Sequence, residues 1–373
     1  MNQLKIVFII SHVHKSLQLE WMIDGLVRKN IQLSFILLGQ SKTELSQFLH
    51  DKNLKVFHIP LAGKVSMILA FFKVFSILRR EKPQVVHTHL YHANLIGLFA
   101  ARLLGIKRRI YTRHHATLHH QYYPKAVYID RFINKLATHI IIPSNSLYET
   151  LVNLEGVHSD KIRSIPHGFD LAYFSTRDTT IEKFKSKYKL KGSHPVVGVI
   201  ARHTEWKGIQ FIIPAFREIL KEYPNAHLVL ANAGGDFEKE IAAMMLAIPD
   251  ANQTIIPFEN DVAPLYHCFD IFIHAPIDSK CEAFGQTYVE ALAAGIPSIF
   301  TLSGIANEFI VNGVNALVVD YKQSEMIAFN IRRLLNDPPL SKRLIEQGRV
   351  YVEKRFSIDQ MTTRLEKLYL TGE

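Results

Sequence analysis

Two glutamates stand eight residues apart in DSKCEAFGQTYVEALAAGIPS, residues 278–298, with Gly285 between them. The preceding FDIFIHAP has the pattern of a buried strand ending at Pro276, and a helix pattern begins near Ala283 or Phe284. Gly285 and Gln286 then fall in the first helical turn, where backbone N–H groups lack intrahelical partners and attract anions. A glycine there lets a phosphate approach the backbone closely. Glu290 would lie roughly 9 Å along the helix from residue 284, with Glu282 on the loop before it. Carboxylates accept from paired hydroxyls, so the two acids would bracket a diphosphate flanked by a sugar and a ribose. That is the chemistry of a nucleotide sugar.

Histidines form a second group. His87, His89 and His92 lie in HTHLYH, and His114, His115, His119 and His120 in RHHATLHH. Imidazole clusters raise zinc. No carboxylate or cysteine follows His87 and His89 closely enough in the chain to complete a ligand set, so no metal site is expected.

The elements that must position these residues alternate. LKIVFII (4–10), IQLSFILLG (31–39), LKVFHI (54–59), QVVHTH (84–89), RIYTRH (109–114) and HIIIPS (139–144) read as buried parallel strands. Amphipathic patterns such as SMILAFFKVFSILRREK lie between them. The Pro- and Gly-containing stretch at 165–180 interrupts this series. A second series follows, with strands at 196–202, 227–233, 253–258, 271–276, 297–301 and 316–320, and helices at 208–223, 283–294 and 324–336. Two doubly wound α/β domains in series, 1–172 and 173–356, are expected, with ligands in the gap between them.

A chain of 373 residues exceeds what one hydrophobic core usually supports. Residues 1–170 carry 22 Lys and Arg against 10 Asp and Glu, a net +12, whereas residues 171–373 carry 22 against 24, a net −2. A basic half points to an anionic partner: a membrane surface ahead of nucleic acid, for which no recognisable module is present. Two cysteines provide no disulfide framework, which suits the cytoplasm. No apolar run is long enough to span a bilayer, and MNQLKIVFIISHVHK reads as a first strand rather than a signal peptide. MILAFFKVFSILRREK (67–82) and IKRRIY (106–111) combine bulky apolar residues with cations, as peripheral membrane segments do, although the apolar positions of the first also suit the core face of a crossover helix.

EAFGQTYVE followed by ALAAGIPSI resembles the E-x7-E signature of glycosyltransferase family 4, whose members have the GT-B fold. The resemblance extends over nearly the whole chain through KPQVVHTHLYHANLIG, DKIRSIPHGFDLAYF, ARHTEWKG and ANEFIVNGVNALVVD. It implies two Rossmann-like domains facing across a cleft, the first for the acceptor and the second for the donor, with the C-terminal helix (357–370) crossing back onto the first. By the same likeness Arg202 and Lys207 serve the donor diphosphate, Glu282 the transferred sugar and Glu290 the ribose, with Phe284, Gly285 and Gln286 completing the donor site. His114 lines the sugar site, with His115 the second choice, and His12, His89, Arg113 and His115 are acceptor-side candidates. Arg202, Lys207, Glu282 and His114 form the expected catalytic set. The first strand runs into SHVHKSLQLE without the glycine-rich turn usual in the family, leaving His12 or His14 near the ligand.

The resemblance implies a retaining transfer in which a donor phosphate oxygen receives the acceptor proton. With no Asp-x-Asp motif in the chain, metal-dependent donor binding is unsupported and neither metal nor cofactor is expected. The expectation is transfer of a hexose or N-acetylhexosamine to a lipid-linked glycan in surface polysaccharide synthesis, by a cytoplasmic enzyme peripheral to the inner membrane face. A nucleotide-sugar epimerase on a related two-domain fold is the alternative, with a nucleic-acid-binding protein a remote third.

Overall fold

The strand Leu4–Ser11 (β1) sends Ile6, Phe8 and Ile10 into one apolar layer and Val7 and Ile9 into another. Both faces are covered, which is why the segment reads as an unbroken hydrophobic run rather than an alternating one. In the computed structural model, which describes residues 3–176 and 178–373, the chain forms two units, Met1–Phe169 with Phe356–Glu373, and Asp170–Arg355.

In the first unit, β1 is joined by β2 (Ile31–Leu38), β3 (Lys55–Ile59), β4 (Val85–His89), β5 (Arg108–Thr112), β6 (His139–Ile142) and β7 (Ile162–Ser164). The strand order is β3-β2-β1-β4-β5-β6-β7, and neighbouring strands are parallel. The helices Leu17–Val27 and Ile358–Thr371 pack on one face through Leu19, Met22, Leu26, Met361, Leu365 and Leu368. Lys64–Glu81 and Tyr91–Leu103 cover the other through Ala70, Val74, Leu78, Ile96 and Ala100.

In the second unit, β8 (Val196–Ile200), β9 (His227–Ala231), β10 (Gln253–Ile256), β11 (Ile271–His274), β12 (Ser298–Phe300) and β13 (Leu317–Val318) follow the order β10-β9-β8-β11-β12-β13, again parallel. Both sheets are doubly wound, and each reverses its winding once: between β1 and β4, and between β8 and β11. Such reversal points are where open α/β sheets bind ligands.

The units divide at 169/170 and 355/356 rather than near 172/173 and 356/357. The reason is local. The Phe169 N–H donates to the Phe356 carbonyl at 2.8 Å, Phe169 forms a bridge with Ser357, and its ring packs against Trp21 and Phe356. The crossing helix Ile358–Thr371 starts at an N-cap, Ser357, whose hydroxyl accepts from the Gln360 N–H. At its other end the Tyr369 hydroxyl meets His87 Nδ1 at 2.7 Å, beneath the end of β4.

This helix is therefore part of the first unit's core. Replacing the fully buried Leu368 by alanine should lower the unfolding free energy by about 2–5 kcal/mol in urea denaturation. Replacing Leu370, which is 52% exposed, should change it by no more than about 0.5 kcal/mol.

Candidate functional site

The reversal point of the second unit gathers four of its polar residues. Past the end of β8 come Arg202 and, in a short helical turn Glu205–Lys207, Lys207. From the neighbouring β11 come His274, its last residue, and Glu282 on the following loop. Lys207 Nζ lies 2.6 Å from Glu282 Oε1, and His274 Nε2 lies 3.1 Å from the same oxygen. The Glu282 N–H donates to Ser303 Oγ at 3.0 Å. Glu282 is buried, and burial alone would raise its pKa. The Lys207 ammonium and the His274 N–H outweigh that effect and hold the carboxyl far below its ordinary range. Burial pushes the His274 pKa down, so its imidazole is a neutral donor to Glu282. Gly208 is what allows the turn: its φ is +71°, and a Cβ there would sit 1.8 Å from the Ala275 carbonyl oxygen. Arg202 is exposed, and its guanidinium makes no ion pair among the described residues.

The helix carrying Glu290 is Gln286–Ala294, two or three residues later than the sequence pattern implies. Gly285 is its N-cap, not part of the first turn, with φ +85°. A Cβ at 285 would stand 2.5 Å from the ring of the buried Tyr288. The glycine thus has a structural reason to be there without any ligand, and replacing it by valine tests folding as much as binding. Glu290 is now about 6 Å along from the helix start. It is buried rather than exposed, and Oε2 accepts from the Tyr266 hydroxyl at 2.8 Å. Burial pushes its pKa up to about 7, against the lowering effect of that hydrogen bond. Phe284 is buried at 4% exposure, and its carbonyl accepts from the Ile305 N–H, whereas Gln286 is exposed.

In the first unit, His12 follows β1 and His92 follows β4, and their rings lie 5.0 Å apart across the reversal point. His12 is exposed, with a left-handed φ of +54°. His89 is buried, and its Nδ1 meets His114 Nε2 at 3.1 Å. His114 in turn stacks on His167 at 6.2 Å between centroids. Burial lowers the pKa of His114 to about 4, and those of His87 and His167 to about 3, so all three are neutral at pH 7. Arg113 does not face outward. It is 2% exposed, with Nη2 at 2.5 Å from Glu155 Oε1 and 3.4 Å from Asp130 Oδ2, and Nε donating to the His115 carbonyl. His115 and His119 turn toward Asp130, and His120 toward Glu155.

Sequence reasoning missed His274, Ser303, Tyr266, Asp130 and Glu155. Only His274 had a legible signal, as a polar residue at the carboxyl end of a buried strand, eight residues before Glu282. The others reach their partners from distant parts of the chain.

The buried Glu290 gives a signed pH effect. Its proton is held more tightly in the folded chain, near 7, than at the ordinary 4.5, so its stabilisation is complete below about pH 4.5 and is lost as pH rises through 7. Between pH 4.5 and 8 the wild type should lose up to about 3 kcal/mol of unfolding free energy relative to Glu290→Gln, read by urea denaturation.

Two family models match in series: "Glycosyltransferase Family 4" over residues 21–173 and "Glycosyl transferases group 1" over residues 180–351. The capsular polysaccharide biosynthesis glycosyltransferase CapM of Staphylococcus aureus is 26% identical, over 98% of this chain and 97% of its own. An Escherichia coli UDP-Gal:alpha-D-GlcNAc-diphosphoundecaprenol alpha-1,3-galactosyltransferase is 23% identical over 91% and 90%. Among solved structures, Anabaena Alr3699/HepE in complex with UDP and glucose superposes with a TM-score of 0.84 at 17% identity, over 98% of this chain and 99% of that one, which shows the GT-B fold. The chain is a glycosyltransferase and belongs to family 4.

Proposed function

We propose that the chain is a retaining, metal-independent glycosyltransferase that moves a hexose or N-acetylhexosamine from a nucleotide diphosphate sugar to a lipid-linked glycan acceptor. The observation that carries this reading is the cluster at the reversal point of the second unit. A buried, ionised Glu282 is held by Lys207 and His274, and an exposed Arg202 follows the end of the adjacent strand β8. A departing nucleoside diphosphate develops negative charge, and cations already in place stabilise it without reorganising. Arg202 grips its oxygens through paired donors, and Lys207 adds a point charge. Glu282 orients the sugar hydroxyls, and Glu290 accepts from the ribose. On this reading the bond from the anomeric carbon to the donor phosphate breaks as the bond to the acceptor oxygen forms on the same face. The acceptor proton passes to the departing phosphate oxygen, and His114, neutral, lines the sugar site. The relatives named for capsule synthesis and for a diphosphoundecaprenol acceptor support the lipid-linked substrate.

The first unit takes the acceptor, and its surface suits a membrane-borne one. On the helix Lys64–Glu81, Ala70, Val74 and Leu78 face the core, while Val65, Ile68, Leu69 and Phe72 are 59–75% exposed on one outward stripe. Lys73, Arg79 and Arg80 are exposed on the same helix. An apolar stripe flanked by cations fits an anionic bilayer surface. No helix among the described residues is long and apolar enough to cross a membrane.

A panel of UDP- and GDP-sugars with lipid-linked acceptors, run with and without EDTA, tests the reaction. Transfer should survive EDTA, and Arg202→Ala should lower kcat/KM by about 100-fold or more without moving Tm. Turnover of donor to a new sugar without acceptor would instead make the chain an epimerase. For the membrane face, the Ile68→Asp/Phe72→Asp double variant should lose most of its flotation with anionic vesicles at low salt. Equal flotation of variant and wild type would remove that surface from the reading.

A further inference from the structure

The first unit holds a group of side chains to which the proposed transfer assigns no role. His115 follows β5, His119 lies on the five-residue helix Leu118–Tyr122, and Asp130 lies on the helix Ala126–Leu136. His119 Nδ1 is 2.7 Å from Asp130 Oδ2 and His115 Nε2 is 3.6 Å from Asp130 Oδ1, and one ligand atom from each of the three falls within 4.8 Å of the others. Among the described residues this is the only such convergence of His, Cys, Asp and Glu. The carboxylate comes from eleven residues beyond His119, on the helix Ala126–Leu136, outside the histidine motif itself.

We propose that His115, His119 and Asp130 bind a divalent transition-metal ion of the zinc type, with an open fourth position toward solvent.

Three features support it. First, the ligand chemistry is right: two imidazoles and a carboxylate form a common zinc set that leaves one position for water. His119 Nδ1 is within hydrogen-bond reach of Asp130 Oδ2, and His115 Nε2 faces Oδ1 at 3.6 Å; ligation uses the lone pair of each of these nitrogens, with the ring proton on the other nitrogen. Tetrahedral zinc with bonds of about 2.0–2.1 Å holds its ligand atoms roughly 3.3 Å apart, so a contraction on the order of an ångström completes the site.

Second, two buried carboxylates face a single guanidinium here. Asp130 and Glu155 bring two carboxylates into a buried space where Arg113 reaches both. Arg113, with Nη2 3.4 Å from Asp130 Oδ2, supplies the kind of outer hydrogen bond that orients a ligating carboxylate in metal sites. Third, the helix Leu118–Tyr122 has no buried residue of its own. Polar contacts hold it, His119 to Asp130 and His120 to Glu155, and an ion joining His115 and His119 to Asp130 adds to them. His115 and His119 side chains are 22% and 14% exposed, so the ion can enter and the fourth position can be wet.

The test is titration of the chelator-stripped full chain with Zn2+ against a chromophoric competitor, together with the visible absorption of Co2+. One equivalent is expected, with the intense bands of tetrahedral Co2+. His115→Ala and His119→Ala should each weaken that binding by at least roughly tenfold while circular dichroism stays unchanged. His12→Ala/His92→Ala, which removes a different histidine pair, should leave it intact. Asp130→Asn, which keeps the side chain's size, serves as a third ligand variant. Absence of a stoichiometric site, or a site unchanged in both single histidine variants, would overturn the proposal. Either result leaves the donor reading untouched, because Arg202, Lys207, Glu282 and Glu290 lie in the other unit.

Discussion

A carboxylate stripped of water must be matched by charge and hydrogen bonds, and Glu282 is where the second unit meets that demand. The Lys207 ammonium and the His274 N–H converge on one of its oxygens, and its backbone N–H is taken by Ser303. Leaving such a group unmatched costs several kcal/mol, so the loops that deliver these partners are constrained together. Lys207 arrives through a turn that only glycine at 208 permits against the Ala275 carbonyl. His274 arrives because β11 ends beside β8. The order of strands thus places an ionised acid, a cation and a neutral imidazole where the winding of the sheet reverses.

The two units share this topology but treat charge differently. In the second, the reversal point carries ionised groups. In the first, the strand ends carry His87, His89 and His114, which burial keeps neutral. Neutral imidazoles can donate and accept at once, so His87 bridges Tyr369 and Thr112, and His89 meets His114, without a net charge to compensate. The first unit's positive balance therefore lies elsewhere, in lysines and arginines such as Lys73, Arg79 and Arg80 on its surface.

Most of the architecture was legible in the sequence because a parallel strand covered on both faces leaves an uninterrupted apolar run, as in Leu4–Ser11 and Val196–Ile200. Short edge elements were not: β7, Ile162–Ser164, has three residues and no such run. The start of the helix at Gln286 was misread because apolar spacing continues back through Phe284, while the left-handed backbone of Gly285 ends the helix there. At the candidate donor site, Glu282 and Glu290 were legible by their spacing, but the burial of Glu290 and its bond to Tyr266 were not. Around the histidines the gap was wider. Asp130 and Glu155 lie on other elements, and only the packing of Ala126–Leu136 and the segment after it beside β5 brings them to Arg113, His115 and His119.

The first unit is discontinuous in the chain, whereas Asp170–Arg355 is not. During synthesis, β1 to β7 leave the ribosome long before the helix whose Met361, Leu365 and Leu368 seal one of their two apolar layers. The intervening segment holds all of its own strands and can reach its native form while that layer is covered only in part, by Leu17–Val27. Vectorial folding, which ordinarily favours the earliest residues, is here inverted: the half made first is the half completed last, and its open sheet face is what a nascent-chain chaperone would meet.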